Sequence, residues 1–381
     1  MIIYALVVLA AITVWSALAI VATMLRRRAH PVPPLPPTLP SVSIVVTALN
    51  EEQRIESAMR SLLALEYPSL EIVAIDDRST DATGAILDRL AAEHPDRMRV
   101  VHVTELPAGW LGKCHALARG AAIASGEWLL FTDADVVFEP GSLTVAIAHA
   151  HARDADHIVF APTLTWHGYV EAALLVLFSM ALMIGFRSWW VESRSLRSFV
   201  GFGSFNLVRR SIYDRFGGHR ALRMEVVDDM KLGYLVKKHG GRSTFVDSDT
   251  MVRVRWREGA RDVIRGLERS GFAGVDFRWT TIIAATAFFT VIMLAPYVLL
   301  LTGPPEARIA STIALALLMT AYAVVARAGR APLWVGLLHP VACVMFAWAM
   351  LRSAVLTTKH GGVMWRGTLY SIEDLRRGSV R

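Results

Sequence analysis

Charge is scarce in this chain: Asp, Glu, Lys and Arg make up 19% of 381 residues, against 54% hydrophobic residues. That balance is too apolar for an ordinary soluble protein, so the excess must be located before domains are counted. Cysteine is nearly missing. The two present, Cys114 and Cys343, lie far apart, one beside an expected loop and one in an apolar run. Their placement excludes a disulfide framework and a CxxC metal site. No GxxxxGK(S/T) phosphate loop occurs, and no GxGxxG follows the first expected strand, so neither a P-loop enzyme nor a dinucleotide dehydrogenase is indicated. A net charge of +7 is compatible with nucleic acid. The chain carries no nucleic-acid module signature, however, and its Lys and Arg gather around apolar runs, which points to anionic lipid headgroups.

The apolar excess sits toward the ends. Ile2 to Leu25 carry no charge, are long enough to cross a bilayer, and run straight into Arg26, Arg27 and Arg28. A signal peptide would place its positive charges before a shorter run, so residues 1–25 are expected to be a retained anchor at the inner (cytoplasmic) membrane, with the chain beyond Arg28 on the cytoplasmic side. Residues 26–40 are expected to be a stiff, Pro-rich linker. Three further runs, Thr280–Leu301, Ile309–Ala326 and Leu333–Leu351, define a multi-pass segment over 280–356, followed by a basic tail over 357–381 that includes Lys359, Arg366, Arg376, Arg377 and Arg381. A cytoplasmic tail requires an even number of crossings after the middle domain. The last run, broken by His339 and Pro340, is therefore expected to be re-entrant or interfacial. The apolar stretch within 166–190 interrupts the middle domain and is expected to lie at the interface as a helix. The apolar runs lack the intramembrane charges of a translocation path, which argues against a transporter.

Between the ends, residues 41–275 alternate strand and helix patterns. Val42–Thr47, Leu70–Ile75, Met98–Val103 and Trp128–Thr132 read as strands; Glu51–Leu65, a segment capped by Asp81 and running to about Ala92, and Lys113–Ala124 read as helices. The pattern predicts an α/β domain with a mostly parallel sheet and helices on both faces, in which ligands collect at the carboxyl ends of the strands. The polar groups obey that rule. Thr47, Asn50 and Glu51 end the first strand, Asp76 and Asp77 the second, Asp133 and Asp135 the fourth.

Asp133 and Asp135 close an apolar strand with hard oxygen ligands, as suits a Mg²⁺ or Mn²⁺ that keeps positions open for phosphate oxygens, although Asp pairs are also common turn formers. Asp76 and Asp77 are placed to meet a nucleotide; Asp77 can accept a uracil ring N–H, while Thr80 or Asp81 serves as a helix cap. Lys113 comes directly after Gly109-Trp110-Leu111-Gly112 and reads equally as a diphosphate contact or a solvated lysine. Asp228 and Asp229 start a helix, where acids favour the macrodipole, and either can act as a general base, Asp229 first. Arg253, Arg255, Trp256 and Arg257 can clamp a diphosphate or form an interfacial belt with Trp279.

Taken together, the stretches Ser43–Glu51, Ile75–Asp81, Gly109–Lys113, Thr132–Asp135 and Val227–Asp229 resemble the ordered motifs of family 2 glycosyltransferases. The similarity spans about Val42 to Gly274 and is nearest to the membrane-bound branch that glycosylates lipids, including ceramide glucosyltransferase-like, hopanoid-associated and carotenoid glycosyltransferases; the Trp365-Arg366-Gly367 tail adds to it. The resemblance implies a GT-A type fold, a nucleotide-diphospho-sugar donor, inversion at the anomeric carbon and a divalent metal. It assigns Asp77 to the base, Lys113 to the nucleotide, Asp135 to the metal with Asp133 in support, and Asp229 to proton removal. Asp228-Asp229 stands where the family usually has Glu-Asp, and Ala48 where it often has proline. Val252 stands where processive synthases carry Gln or Arg ahead of Arg-Trp, which argues against polymer extension. The reading is thus transfer of a single sugar, from a UDP-sugar, to a lipid hydroxyl. Alternatives are a polyprenyl-phosphate acceptor and a non-catalytic nucleotide-binding subunit of a membrane complex.

Overall fold

The computed structural model describes residues 1–365 and 367–380. Arg366 and Arg381, both expected in the basic tail, lie outside the described residues. The chain forms two compact units interleaved in sequence: a sheet unit of residues 26–163, 190–255 and 373 onward, and a helical unit of residues 1–25, 164–189 and 256–372. Residues 256–275, which the sequence pattern places with the middle domain, cluster with the helices.

The sheet unit contains β1 (Arg27–Arg28), β2 (Val42–Ala48), α2 (Ile55–Leu63), β3 (Leu70–Asp77), α3 (Thr83–Glu93), β4 (Met98–Val103), α4 (Gly112–Ile123), β5 (Trp128–Asp133), β6 (Val136–Phe138), α5 (Ser142–Ala152) and β7 (His157–Ala161). After β8 (Thr163–Leu164), at the passage between the units, and α6 (Tyr169–Gly185) of the helical unit, it continues with β9 (Asn206–Arg209), α7 (Arg210–Arg215), α8 (Asp228–Lys238), β10 (Ser243–Asp247) and β11 (Val252–Val254). The main sheet has eight strands in the order β1-β10-β7-β9-β5-β2-β3-β4. All its neighbours pair in parallel except β9, which is antiparallel to both β5 and β7.

The central strands are continuous apolar runs because both faces are covered. All seven residues of β2 are buried, and Val45, Val73, Ile75, Leu129 and Phe131 share a core patch with Leu117 of α4 and Leu232 of α8. Full burial of each such aliphatic side chain stabilises the fold by roughly 1.5–3 kcal/mol. The opening of the expected linker is itself structured. Arg27 and Arg28 extend the sheet beside Val246 and Asp247, Arg26 pairs with Asp247 at 2.6 Å, and Arg27 pairs with Glu192 at 2.6 Å. Arg26 and Arg27 are thus committed to sheet-edge ion pairs.

The helical unit comprises α1 (Ile2–Met24), α6, α9 (Ala260–Ser270), α10 (Trp279–Thr302), α11 (Pro305–Ala328), α12 (His339–Lys359) and a hairpin of β12 (Gly362–Trp365) and β13 (Thr368–Ser371). Among the described residues, five helical segments are long and apolar enough to cross a membrane: Ile2–Met24, Tyr169–Trp190, Trp279–Thr302, Pro305–Ala328 and Leu333–Lys359. Small and medium side chains such as Ala172, Ala314, Leu318, Ala321 and Ala342 form the shared core, while Phe288, Leu301, Ile309, Leu337 and Trp348 face outward. An apolar exterior of this kind suits lipid as solvent. The short α13 (Ile372–Gly378) leads the chain back to the sheet unit.

Candidate active site

Parallel pairing brings the acidic strand ends to one edge. Thr47 lies beside Asp133, and Ala48 beside Asp76. The loops leaving β2 and β3 are zipped together: Asn50 Oδ1 accepts the Thr80 N–H at 2.8 Å, the Asn50 N–H donates to Ser79 Oγ at 3.1 Å, and the Glu51 N–H donates to Thr83 Oγ1 at 2.8 Å. Asn50 and Arg78 both adopt positive φ, 55° and 63°, a conformation that costs Asn less than most residues. Asp81 accepts N–H groups from Thr83 and Glu52 at 3.0 and 3.2 Å, so it ties the two loops together as well as opening the helix.

Asp77 is fully buried, and its Oδ1 accepts Arg78 Nε–H at 2.8 Å. Both side chains lie over the first turn of α4; a Cβ at Gly112 would be 2.9 Å from Asp77 Oδ2 and 2.5 Å from an Arg78 nitrogen. Gly112 is therefore required by this close approach. Asp76 instead accepts the Ser79 N–H at 3.2 Å and meets His102 Nδ1 at 2.9 Å, and His102 Nε2 reaches Asp88 at 3.0 Å. Those two carboxylates hold the His102 imidazolium above its usual range.

At the same end of the sheet, Lys113, Phe131, Thr132, Asp133, Gly203, Asn206, His219, Asp228 and Asp229 line a pocket. Lys113 Nζ pairs with Asp133 Oδ1 at 2.8 Å. Burial pulls the ammonium's pKa down, but Asp133, Asp228 and Asp229 outweigh it and hold the pKa above the ordinary lysine value. The Asp229 carboxylate is fixed at both oxygens, Oδ2 accepting the Gly203 N–H at 2.9 Å and Oδ1 the Met230 N–H at 2.7 Å. Burial first, then repulsion from Asp228, nevertheless raises its pKa well above the carboxylate range. Gly203 joins this carboxylate to the opposite wall, since its C=O accepts the Asp133 N–H at 2.8 Å. A Cβ at Gly203 would lie 2.4 Å from Asp133 Oδ2, and one at Gly201 would lie 1.8 Å from the Asp229 carbonyl oxygen.

Behind α8, Asn206 Nδ2–H donates to the Asp229 C=O at 3.1 Å, Asn206 Oδ1 meets His157 Nε2 at 2.5 Å, and His157 Nδ1 meets Ser243 Oγ at 3.0 Å. Burial lowers the His157 pKa to about 4, so the ring is neutral; Nε2 then carries the proton donated to Asn206, and Nδ1 accepts from Ser243. This buried chain holds the first turn of α8 against β9.

Residues 43–229 match the model of glycosyl transferase family 2. The chain carries a family 2 glycosyltransferase domain. Among curated relatives, a 4,4'-diaponeurosporenoate glycosyltransferase from Staphylococcus haemolyticus is 27% identical over 207 residues, about half of each chain (51%). A protein of the same name from Staphylococcus aureus is 24% identical over 355 residues, covering 87% of this chain and 88% of its own. A solved mannosyltransferase from Pyrobaculum calidifontis, in complex with GDP-Man and Mn²⁺, superposes with a TM-score of 0.54 at 21% identity, over 91% of this chain and 97% of that one. The expected GT-A type fold is thus borne out, with membrane-length helices at its flanks.

In this glycosyltransferase Asp135 lies just beyond the strand that carries Asp133. Burial, then repulsion from Asp133 and Glu51, raises its pKa to about 7, against the opposing pull of Arg54, whose guanidinium is 3.5 Å away. Among the described residues, no set of three His, Cys, Asp or Glu side chains forms a metal cage. Arg255 and Trp256 do not line the pocket around Asp229. Arg255 comes just after β11 in the sheet unit, and the Trp256 ring stacks on Phe178 of the helical unit at 5.0 Å. No sequence motif pointed to Gly201, Gly203, Asn206 or His157. The signal available was Gly201-Phe202-Gly203-Ser204, two glycines immediately before a short apolar strand, where close backbone approach is the usual reason for glycine.

Proposed function

We propose that this glycosyltransferase moves one sugar from a nucleotide-diphospho-sugar, a UDP-sugar, to a hydroxyl of a lipid at the cytoplasmic membrane face, with inversion and with Mg²⁺ or Mn²⁺. The observation that carries the reading is the convergence of Lys113, Asp133 and Asp229 on one pocket, with Asp229 held in a single orientation and avid for a proton. Asp229 accepts the hydroxyl proton as the acceptor oxygen bonds to the anomeric carbon, and the bond from that carbon to the diphosphate oxygen breaks. Lys113 offers fixed positive charge to the departing diphosphate. The pocket lies where Asp133 and Asp229 meet, and Asp77 stands at the end of β3 on the same sheet edge, where the nucleobase is assigned.

The donor set fits a divalent cation. Asp135 is crowded by Asp133 and Glu51, a repulsion that a cation relieves, and Mg²⁺ commonly uses one or two carboxylates with substrate phosphates rather than a complete protein cage. Asp135 and Asp133 would hold the ion, which when bound would polarise the diphosphate leaving group.

A lipid acceptor is supported by the apolar exterior of the helical unit and by the names of the Staphylococcus relatives. The strands on either side of α6, β7 and β9, pair in one sheet, so a complete crossing by α6 would separate paired strands; we place it along the interface. Ser379 and Val380 bond to Glu225 of the sheet unit, which supports placing the tail on the same side as the catalytic pocket, with an even number of crossings between them. Leu333–Lys359, the segment that contains His339 and Pro340, is the one we assign as re-entrant.

The test is mass spectrometry of host lipids with wild-type protein and with Asp135→Ala. A new glycolipid in the first and none in the second, at equal protein level, is expected; equal glycolipid in both refutes the metal role. A wild-type product carrying the sugar on a phosphate or carboxylate would move the acceptor away from a hydroxyl.

A further inference from the structure

The end of the chain returns to the helix that carries Asp229. Leu375 is buried, and Gly378 lies so near Met224 that a Cβ there would be 2.3 Å from the Met224 Cβ. Val380 packs on the core patch that holds Leu117, Leu232 and Leu235. Polar contacts complete the docking. The Val380 N–H and the Ser379 hydroxyl donate to Glu225 Oε2 at 2.9 and 3.3 Å, and Lys231 Nζ donates to the Val380 C=O at 2.6 Å.

Glu225 and Lys231 flank Asp228 and Asp229 in sequence, so Val380, bonded to both, bridges the two sides of the α8 start. The same segment is stitched to the start of α4: the Leu111 N–H donates to the Arg223 C=O at 2.7 Å, and Cys114 Sγ lies 3.7 Å from the Glu225 C=O. Glu225 is a buried carboxyl group, 6% exposed, and burial raises its pKa while the Val380 N–H lowers it. Deprived of the tail, this group has every reason to turn toward water, because a buried acid without donors is strongly disfavoured. That movement begins three residues before Asp228.

We infer that residues 378–380 are a clasp that positions the general base, with Glu225 the positioning residue through which it acts on Asp229. The inference rests on the reading of Asp229 as the base. The tail bonds the α8 start directly and reaches the α4 start indirectly, through the Arg223 and Glu225 carbonyls, so its loss is felt more in turnover than in donor binding.

Val380→Pro in the full-length protein removes the N–H while keeping an apolar side chain, and Glu225→Gln keeps an acceptor oxygen for Val380 and Ser379. Hydrogen exchange of the amides over 226–233, kcat and donor KM are measured for each. In Val380→Pro, faster exchange confined to 226–233 and a kcat lower by roughly 10-fold or more with donor KM within about twofold are expected, since small misplacement of a reacting group is costly. Glu225→Gln is expected to keep kcat within about threefold of wild type. Unchanged exchange over 226–233 in Val380→Pro, or faster exchange spread evenly over the sheet with kcat per folded molecule unchanged, overturns the clasp. If the wild-type chain transfers no sugar, the functional reading fails separately, and the exchange comparison alone decides whether the tail orders α8.

Discussion

Asp229 combines two demands that usually oppose each other. Its oxygens each accept a backbone N–H, which favours the ionised form, yet burial and the neighbouring Asp228 raise its proton affinity above the carboxylate range. A carboxylate so held is oriented like a structural group and basic enough to take a proton near neutral pH. Asp229→Asn should lower kcat by about 10²–10⁴-fold with donor affinity unchanged, measured by steady-state kinetics and nucleotide titration. The direction of the shift sets the sign of the pH dependence. The base works only when ionised, and its pKa is raised, so the rate should fall as pH drops below neutrality and this acid limb should vanish in Asp229→Asn. A hydroxyl acceptor requires this limb; an acceptor already ionised would give a flat profile.

The segment between residues 200 and 204 decides whether these side chains meet. Its glycines let the backbone pass between Asp133 and Asp229 and bond to both, so Gly203 sets the width of the pocket. A methyl group there must displace Asp133 or Lys113, the latter 3.2 Å from the added carbon. Gly203→Ala should therefore reduce transfer by roughly 10²-fold while costing about 1–3 kcal/mol of stability, the range for overpacked sites. Activity assay alongside thermal melting separates the two effects, and a variant with full activity would show that the pocket tolerates widening. The zipped loops after β2 and β3 serve the same end: Asn50 tolerates positive φ, and its amide oxygen accepts an N–H from the opposite loop.

At the scale of the whole molecule, one sheet is assembled from segments on both sides of an apolar helix, and the last residues of the chain rejoin it. The membrane topology this implies is open to direct labelling. Single cysteines introduced near His30 and at Ser379, with Cys114 and Cys343 replaced, should react with a membrane-impermeant reagent from the same side in oriented vesicles. Labelling from opposite sides would restore three full crossings and remove the re-entrant assignment of Leu333–Lys359. Detergent, and not salt, should be needed to extract the protein, since the outward faces of its long helices are apolar.

Local periodicity determined a great deal by itself. β2 to β5 and the helices between them were legible to within a few residues, because a buried parallel strand is a run of β-branched and aliphatic residues and leaves its polar groups at the carboxyl end. The long apolar helices were legible because a bilayer dictates length and composition. The antiparallel insertion of β9, the edge strand made by Arg27 and Arg28, the Gly201–Ser204 passage, the Ser243–His157–Asn206 chain and the docked tail were decided only by tertiary structure. Each joins residues far apart in sequence through one or two hydrogen bonds or a single close approach, and contacts of that kind leave no periodic trace in the chain that makes them.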